Sequence, residues 1–426
     1  MPLRIMMWNI QNLGLGKMTA TSDDPHLRRL DYIVDSVIRC DPGIFVVLEV
    51  STEDLHLKVS GLQFGAVISA GSGAVAVLEI LGHLRVRTGR DWRLVPPLIS
   101  GAEGRKEGVA VFFDNGRVNF RGPLQLDEFP ADAGRTIQRA GGLGGAAATY
   151  RAPWADALPA TVPTGPPIGG GLRQNQLAGH TYFETPGGNT PLCFPRPEHR
   201  SPLLTRFQEV GNQQRVFTVL SAHLPPEPNW AREAVREIMR IPPVTADLAA
   251  NEVRVILGDL NLNALDPRQV HSLNPVISRP VRRTGAGATH FERFHFLDPT
   301  MLRSTDQASL GGTAPYLDYL TPFSYPGGPT GWKALDHIFA AYGANAGYTP
   351  PPGFGQGYVL DRVAGTPLNP APGFTPLPPL PPPAVQRSVP ALQTLPPAQR
   401  DEQFRRIHNF GKIRGASDHM AVFADL

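Results

Sequence analysis

Apolar residues along the chain fall into short continuous runs that end in a polar residue, which is the pattern of buried β-strands. The runs from Arg4 to Asn9 and from Ile44 to Glu49 both have this form. Between them, apolar residues from Leu27 to Ile38 recur every three or four positions until an Asp-Pro-Gly sequence at 41–43. This spacing predicts an amphipathic helix. Together these segments predict a strand, helix, strand unit with a carboxylate at the end of the second strand.

The same pattern continues through the rest of the chain. An amphipathic helix capped by Asn229 is predicted near the middle. Strands joined sometimes by turns and sometimes by helices predict a mixed α/β or α+β domain. The further apolar runs, most of which predict strands, are Ala74 to Ile80, Val109 to Phe113, Leu203 to Phe207, Val216 to Ala222, Val253 to Leu257, Ala334 to Ala340 and Ala421 to Ala424.

Two stretches rich in glycine and proline interrupt this pattern. Residues 127–198 have little periodicity, and residues 342–408 contain a Leu-Pro-Pro-Leu-Pro-Pro-Pro segment at 377–383 that favours polyproline II. We interpret both as long loop insertions in a single domain that spans residues 1–426.

Composition narrows the class of protein. Gly 44 and Pro 45 make up about a fifth of the 426 residues, below the roughly 25 to 30% of disordered low-complexity chains. The net charge is only +3, so any affinity for nucleic acid must come from a local site. Two cysteines, Cys40 and Cys193, are too few for a disulfide framework or a four-thiolate zinc site. Whether they form a single bridge is left open.

The N-terminal residues contain no apolar stretch after a basic start, and no segment approaches about 18 uninterrupted apolar residues. We therefore expect a cytoplasmic protein without a membrane span, with secretion independent of a signal peptide left open. A monomer is the default expectation.

Polar residues that can bind a metal or move a proton recur at the ends of the predicted strands. Each alone has a structural interpretation, since Asp and Asn at strand ends commonly form turns. Their repeated occurrence favours a shared site instead. These residues are Asn9, Glu49, Glu107, His223, Asp259, Asn261, Asp336, Asp418 and His419.

One of these segments, Val-Arg-Val-Ile-Leu-Gly-Asp-Leu-Asn at 253–261, resembles the Gly-Asp-Phe/Leu-Asn signature of the endonuclease/exonuclease/phosphatase superfamily, the fold of deoxyribonuclease I. The resemblance implies a four-layer fold, a two-sheet β-sandwich flanked by helices. Five further motifs follow the superfamily's order: Trp-Asn-Ile-Gln-Asn at 8–12, Leu-Glu at 48–49, Ser-Ala-His-Leu at 221–224, Leu-Asp-His-Ile-Phe at 335–339 and Ser-Asp-His at 417–419.

The resemblance also implies catalytic roles. Asp336 would orient His419 on the base side of the site, while His223 would stabilise or protonate the departing oxygen with Glu107 as its partner. His337 would point to the opposite face of its strand and is interpreted as structural. The catalytic set implied by the resemblance is His223, His419, Asp336, Asp259, Asn261 and Glu107.

Metal and phosphate binding follow from the same resemblance. Glu49, with Asn9 and Asp418, would hold the metal, and oxygen donors favour Mg²⁺ or Mn²⁺ over zinc. Arg200, in an Arg-Ser-Pro-Leu-Leu segment, would contact a substrate phosphate together with Asn261.

The leading functional interpretation is a Mg²⁺-dependent phosphodiesterase, a deoxyribonuclease I-like nuclease with nucleic acid as its substrate. The alternative is a phosphatase or phosphodiesterase acting on a phosphorylated small molecule or lipid head group, of the inositol phosphate or sphingomyelin type. Ala-Leu-Asp-His at 334–337 departs from the Trp-x-Asp-Arg pattern of inositol phosphatases. A catalytically inactive binding module is a third interpretation, disfavoured by the intact motifs. Basic residues that could follow a phosphate backbone, or form a solvated face, are Arg279, Arg282, Arg283, Arg405, Arg406, Lys412 and Arg414.

Overall fold

The structure is a computed structural model of the chain. It describes residues 3–18, 29–51, 72–100, 107–122, 173–177, 180–185, 188–192, 200, 202–211, 215–263, 267–277, 280–284, 291–296, 335–346, 357–361, 366–367, 419 and 421–426.

Strands dominate these residues. The strands are β1 (Arg4–Leu13), β2 (Ile44–Val50), β3 (Trp92–Ser100), β4 (Glu107–Asp114), β5 (Val118–Gly122), β6 (Arg173–Leu177), β7 (His180–Thr185), β8 (Gly188–Leu192), β9 (Leu203–Glu209), β10 (Val216–His223), β11 (Glu252–Asp259), β12 (Pro280–Arg282), β13 (Phe291–Arg293), β14 (His295–Phe296), β15 (Asp336–Tyr342), β16 (Gly357–Asp361), β17 (Thr366–Pro367) and β18 (Val422–Asp425). The helices are α1 (Leu15–Met18), α2 (Arg29–Cys40), α3 (Ser72–Thr88), α4 (Pro228–Ile238), α5 (Pro242–Thr245), α6 (Pro267–Val270) and α7 (Asn274–Ile277), with a 3₁₀ turn at His271–Leu273.

Two mixed sheets contain most of the strands. The first has the order β17-β16-β18-β1-β2-β4-β3, and the second has the order β14-β15-β11-β10-β9-β5. Strands β1 and β2 are parallel, and so are β10 and β11. The carboxyl ends of each parallel pair therefore lie at one edge of its sheet.

The two sheets pack face to face, with helices on their outer sides. Phe113 of β4 lies 5.3 Å, between ring centroids, from Phe207 of β9 in the opposite sheet. On the outer face of the first sheet, Phe45 and Phe112 are buried in one cluster with residues of α2 and α3. On the outer face of the second, Leu220 and other apolar residues of its strands are buried with residues of α4. The predicted fold, a two-sheet sandwich flanked by helices, is confirmed.

Several predicted elements differ from the structure. The run Ala74 to Ile80 is part of helix α3, because a short apolar run does not by itself separate a buried strand from a buried helix. Helix α4 begins at Pro228 with Glu227 as its N-cap, so Asn229 lies within the first turn. Strand β3 was not predicted, since it contains two prolines, but it lies at the edge of its sheet, where proline is tolerated.

Parts of both predicted loop insertions are strands. Strands β6, β7 and β8 form a three-stranded antiparallel sheet within residues 127–198. Strand β16, within residues 342–408, pairs with β18 and extends the first sheet. Most of the remaining residues of these two segments lie outside the described residues, so the division of the chain into one domain with two insertions stays a prediction.

Other expectations are met only in part. Cys40 is a buried free thiol whose pKa is raised by burial, and Cys193 lies outside the described residues. Among the described helices, none combines the length and apolar character needed to cross a membrane. Cellular location and oligomeric state stay predictions.

A cluster of charged side chains closes the end of the first sheet where β2 begins. Asp41 follows α2 with a left-handed backbone (φ 53°), and Arg117 donates hydrogen bonds of 2.9 and 2.8 Å to its two carboxylate oxygens. Arg90 donates another to the same carboxylate. Partial burial acts to raise the pKa of Asp41, but hydrogen bonds and charge from Arg117 and Arg90 outweigh it and hold this pKa below its ordinary value.

This cluster gives a prediction for stability against pH. Asp41→Asn keeps the size of the side chain and tolerates the left-handed backbone, but loses the charge that pairs with the two arginines. Because the folded pKa is lowered, the stabilisation is present above the unfolded pKa of about 3.9 and is lost as pH falls through the folded value. We expect a lower Tm than wild type at pH 7 and a difference that shrinks progressively as the pH falls below about 3.9, measured by thermal unfolding.

Glu237→Gln is the control, because it removes an ion pair with Arg240, a residue 68% exposed, and such surface pairs contribute little. Equal Tm shifts for the two variants at pH 7, or an Asp41→Asn shift that persists unchanged to pH 3, would contradict the assignment.

Candidate active site at the strand ends

The strand ends of both sheets meet at one place. His223 ends β10 and lies directly beside Asp259, which ends the parallel strand β11. Asp259 in turn pairs with Asp336, the first residue of the antiparallel strand β15. From the opposite sheet, Asn9 and Glu49 come from the paired parallel strands β1 and β2. Five of the residues predicted from sequence therefore converge.

Asn9 connects the two sheets at this place. Its Nδ2 atom donates a hydrogen bond of 2.9 Å to Glu49 Oε1 and another of 3.0 Å to Asp259 Oδ2. Asn9 is fully buried, and Asp259 is 2% exposed. One buried amide therefore aligns a carboxylate from each sheet where the two sheets meet.

Glu49 reaches the site through an unusual backbone conformation. Phe45 and Val47 face the helices, so strict alternation would place Glu49 on that side as well. Instead, Glu49 has a left-handed backbone (φ 57°), and the pairing of β2 with β4 shifts register between Val47 and Val50. This bulge turns the Glu49 carboxylate toward the space between the sheets.

The environment of Glu49 keeps it ionised. Burial acts to raise its pKa, but the charge of His223, the hydrogen bond from Asn9 and a smaller contribution from His419 outweigh burial, so the pKa of Glu49 is lowered. The main-chain N–H of Asn12 also donates to Glu49 Oε2 at 3.3 Å. A partly buried, ionised carboxylate of this kind is suited to bind a cation.

His223 is held by a chain of charged groups. Its Nδ1 atom lies 2.5 Å from Glu107 Oε2, and Arg200 Nη2 lies 2.6 Å from the other oxygen of Glu107. Burial acts to lower the pKa of His223, but the charge and hydrogen bond of Glu107, with the charge of Asp259, outweigh it and raise this pKa. Within the described residues, the buried Nε and Nη1 atoms of Arg200 have no hydrogen-bond partner.

His419 is held in a similar way on the other side of the site. Its Nδ1 atom lies 2.8 Å from Asp336 Oδ2, and its Nε2 atom lies 3.7 Å from Asp259 Oδ2. The Nε2 atom of His223 lies 3.5 Å from the same oxygen. Burial raises the pKa of Asp259, and Asp336 raises it further, against the opposing charges of the two histidines. Asp259 thus lies between two histidines, each oriented by its own carboxylate.

The backbone conformation explains which residue types stand first and last in the Gly-Asp-Leu-Asn segment at 258–261. Gly258 has a φ of 152°, and a Cβ there would lie 1.8 Å from Ala222 O of the neighbouring strand. Asn261 has a left-handed backbone (φ 50°), and its main-chain N–H donates to Asp259 Oδ1 at 3.0 Å. The Asn261 side chain donates to Leu224 O at 2.7 Å, which ties the end of β11 to the end of β10.

The donor set fits a divalent cation. Four carboxylates converge, from Glu49, Glu107, Asp259 and Asp336, while Arg200 is the permanently charged cation that pairs with one of them. Ligand atoms of Glu49, Glu107 and His223 lie within 4.8 Å of one another, and so do those of Asp259, Asp336 and His419. An excess of oxygen donors with negative charge is the set that Mg²⁺ and Mn²⁺ prefer.

The other predicted residues are either outside the described part of the chain or outside this site. Asp418 is outside the described residues, as are four of the basic residues that could follow a phosphate backbone, Arg405, Arg406, Lys412 and Arg414, together with Arg279. Arg282 pairs with Asp247. His337 is fully buried and donates from Nε2 to Leu262 O at 2.8 Å, away from the site.

Two residues that support the site were missed by sequence reasoning. Asn12 and Leu224 contribute main-chain atoms, the N–H that reaches Glu49 and the carbonyl that accepts from Asn261. Main-chain contacts leave no signal in the side-chain type, so only the tertiary structure reveals them.

The left-handed backbone of Glu49 gives a prediction for stability. A side chain with a Cβ is strained at this φ, whereas glycine is not, so we expect Glu49→Gly to be more stable than Glu49→Ala by about 1 kcal/mol in urea unfolding. The matched pair Glu79→Gly and Glu79→Ala, at an exposed position within helix α3, should show the opposite order, since glycine destabilises a helix interior. The same order at both positions would contradict a strained Glu49.

Comparison with known proteins gives distant structural likenesses. No protein-family model matches the chain, and no curated protein matches it. An endonuclease/exonuclease/phosphatase family protein from Leptotrichia buccalis is 12% identical, with 99% of this chain and 98% of that chain covered and a TM-score of 0.39. A humanised TDP2 of D. rerio is 9% identical, with 99% and 97% covered and a TM-score of 0.37.

A third solved structure is a mannosyl-6-phosphatase from Bacteroides thetaiotaomicron, 12% identical, with 80% of this chain and 85% of that chain covered and a TM-score of 0.31. Likenesses this distant say nothing of substrate, so the proposals below depend on the site residues of this chain. In its two-sheet fold and in the motifs at its strand ends, the chain is similar to the endonuclease/exonuclease/phosphatase superfamily.

Proposed function

We propose that the chain is a divalent-metal-dependent phosphodiesterase whose substrate is nucleic acid. The observation that carries this proposal is the arrangement around Asp259 Oδ2, which lies 3.5 Å from His223 Nε2 and 3.7 Å from His419 Nε2. Each histidine has its Nδ1 atom held by a carboxylate, Glu107 or Asp336. Two oriented histidines beside a buried carboxylate are suited to move protons on opposite sides of one reacting centre.

Glu49 is the principal candidate to hold the metal, with Asn9 beside it and Asp418 as the third residue implied by the superfamily motif. A bound Mg²⁺ or Mn²⁺ would polarise a phosphate oxygen and stabilise the negative charge that develops on it. The convergence of four carboxylates, two of them buried, supports such a cation, because Arg200 and the two histidines compensate their mutual repulsion only in part.

On the base side, Asp336 orients the His419 ring so that its Nε2 atom faces Asp259. Asp259, whose pKa is raised by burial, is suited to accept a hydrogen bond from the attacking water and so to position it, while His419 Nε2 accepts the proton. Asn261 fixes the other oxygen of Asp259 through its main-chain N–H. Both oxygens of Asp259 are therefore held, Oδ1 by Asn261 and Oδ2 by Asn9, with Oδ2 also facing the two histidines.

On the leaving-group side, His223 carries its proton over a wider pH range because its pKa is raised. Its Nδ1–H donates to Glu107, so Nε2–H is left to donate to the departing oxygen. Arg200, which pairs with Glu107 through Nη2, is the residue that the superfamily motif assigns to a substrate phosphate, and a guanidinium is suited to that contact. Arg200 would then bind substrate and orient Glu107 at the same time.

A phosphorylated small molecule or a lipid head group is the alternative substrate, because the same reaction centre can act on any accessible phosphoester. A catalytically inactive binding module is disfavoured, since Glu49, Asp259 and His419 are all present and in contact distance of one site. The dependence of the rate on salt concentration distinguishes nucleic acid from a small phosphorylated substrate.

The proposed function predicts metal-dependent nicking of supercoiled plasmid by the purified protein in Mg²⁺ or Mn²⁺. EDTA should abolish it, and His419→Ala and His223→Ala should each lower the rate by about 10²- to 10⁴-fold while the proteins stay folded by circular dichroism. His271→Ala, which changes an exposed histidine that takes no part in the contacts described above, should retain the wild-type rate.

Intact plasmid under all metal conditions would exclude DNA cleavage and direct the assay to RNA, phosphorylated small molecules and phospholipids. A folded His419→Ala variant with a near-normal rate would contradict the proposed role of His419 for any substrate.

The response to salt tests the substrate class. A nucleic acid contacts several basic side chains and releases counterions, so kcat/KM should fall steeply, by about tenfold or more, between 50 and 200 mM KCl. The hydrolysis of bis(p-nitrophenyl) phosphate by the same preparation is the control, since this small substrate makes few such contacts. Equal, weak salt dependence for both substrates would favour the small-molecule alternative.

A further inference from the structure

Trp8 lies on the side of β1 that faces away from the site. Successive residues of a strand point to opposite faces, so Trp8 and Asn9 lie on opposite sides of the sheet. Trp8 is 2% exposed and packs in the helix-side core, where its ring meets Tyr32 of α2 edge to face at 6.0 Å. By location Trp8 is a core residue, and its role in packing is clear.

The polar end of Trp8 has a second role. Its Nε1–H donates a hydrogen bond of 2.7 Å to the main-chain carbonyl of His419. His419 lies three residues before Val422, the residue at which β18 begins to pair with β1. The main chain of His419 is thus attached to β1 by the Trp8 indole, ahead of the ladder that joins the two strands.

Two of the contacts of His419 bear directly on where its ring lies. Asp336 Oδ2 holds the Nδ1 atom of the ring, and Trp8 holds the main chain of the same residue. Because Asn9 follows Trp8 directly, the strand that anchors His419 also carries the amide that aligns Glu49 and Asp259. A displacement of the His419 main chain would change the 3.7 Å separation of Nε2 and Asp259 Oδ2.

We infer that Trp8 is a positioning residue for His419, a role that rests on the proposed function of that histidine. Trp8 makes no contact with the reacting atoms and acts through the single indole N–H. Errors of about 1 Å in the position of a reacting group lower rates by up to about 100-fold, so a lost anchor should affect kcat more than KM.

The chain offers a matched control in Trp92. This residue is 1% exposed, belongs to the same helix-side core, and its Nε1 atom has no hydrogen-bond partner among the residues that the structure describes. Replacing either tryptophan by phenylalanine removes a similar amount of buried ring. The two variants therefore differ in whether a hydrogen bond to His419 is lost.

The test compares Trp8→Phe with Trp92→Phe in the full chain. We expect similar decreases in Tm for both, a decrease in kcat of about 10- to 100-fold with little change in KM for Trp8→Phe, and a change in kcat of less than about threefold for Trp92→Phe. In a His419→Ala background, Trp8→Phe should cause no further loss, because the group through which it acts is absent. Equal kcat values for the two phenylalanine variants, or a full additional loss in the His419→Ala background, would overturn the inference.

A measurement that needs no activity separates this inference from the proposed function. In ¹⁵N-edited NMR spectra of the histidine rings, the His419 signals are identified by their absence in His419→Ala. Trp8→Phe should shift or broaden these signals, and Trp92→Phe should leave them in place. If the wild-type protein hydrolyses no phosphoester, the proposed function fails while this comparison still decides whether Trp8 holds His419; unchanged His419 signals in Trp8→Phe would refute the anchor.

Discussion

One buried amide joins the two sheets by hydrogen bonds at the candidate active site. Asn9 donates from a single nitrogen to Glu49 of its own sheet and to Asp259 of the opposite sheet. Two buried carboxylates brought close together repel each other, and a shared donor offsets part of that repulsion. The positions of the two histidines relative to the site depend on this contact, because His223 Nε2 and His419 Nε2 both face Asp259 Oδ2.

The site is assembled with local strain and unbalanced charge. The left-handed backbones of Glu49 and Asn261 are uncommon for residues with a side chain, and both lie where a strand must present a polar group to the space between the sheets. Four carboxylates converge around one arginine. Such an arrangement contributes little to folding stability and is consistent with selection for binding and catalysis, at an energetic cost that the apolar faces of both sheets offset.

Sequence patterns predict the strands well where an apolar run adjoins a polar residue, and less well where that boundary is missing. The strands that carry His223 and Asp259 are predicted because each is an apolar run that ends at a polar residue, and β15 is predicted because an apolar run follows Asp336 and His337. The run from Ala74 was mistaken for a strand, because helix α3 is apolar on several sides and its length was not recognised. Strand β3 was missed because its prolines, Pro96 and Pro97, argue against a central strand and are compatible only with an edge.

The identities of most site residues could be found from the sequence alone, because metal and proton chemistry requires particular side chains and these follow the strands that carry them. Their arrangement could not. Strict alternation would have placed Glu49 on the helix side, and only the bulge in β2 reverses this. Likewise, Trp8 reads as a core residue, and its bond to the His419 carbonyl exists only because β18 folds back beside β1. Side-chain type is a local property of the chain, whereas distances between residues as far apart as 8 and 419 are determined by how the sheets pack.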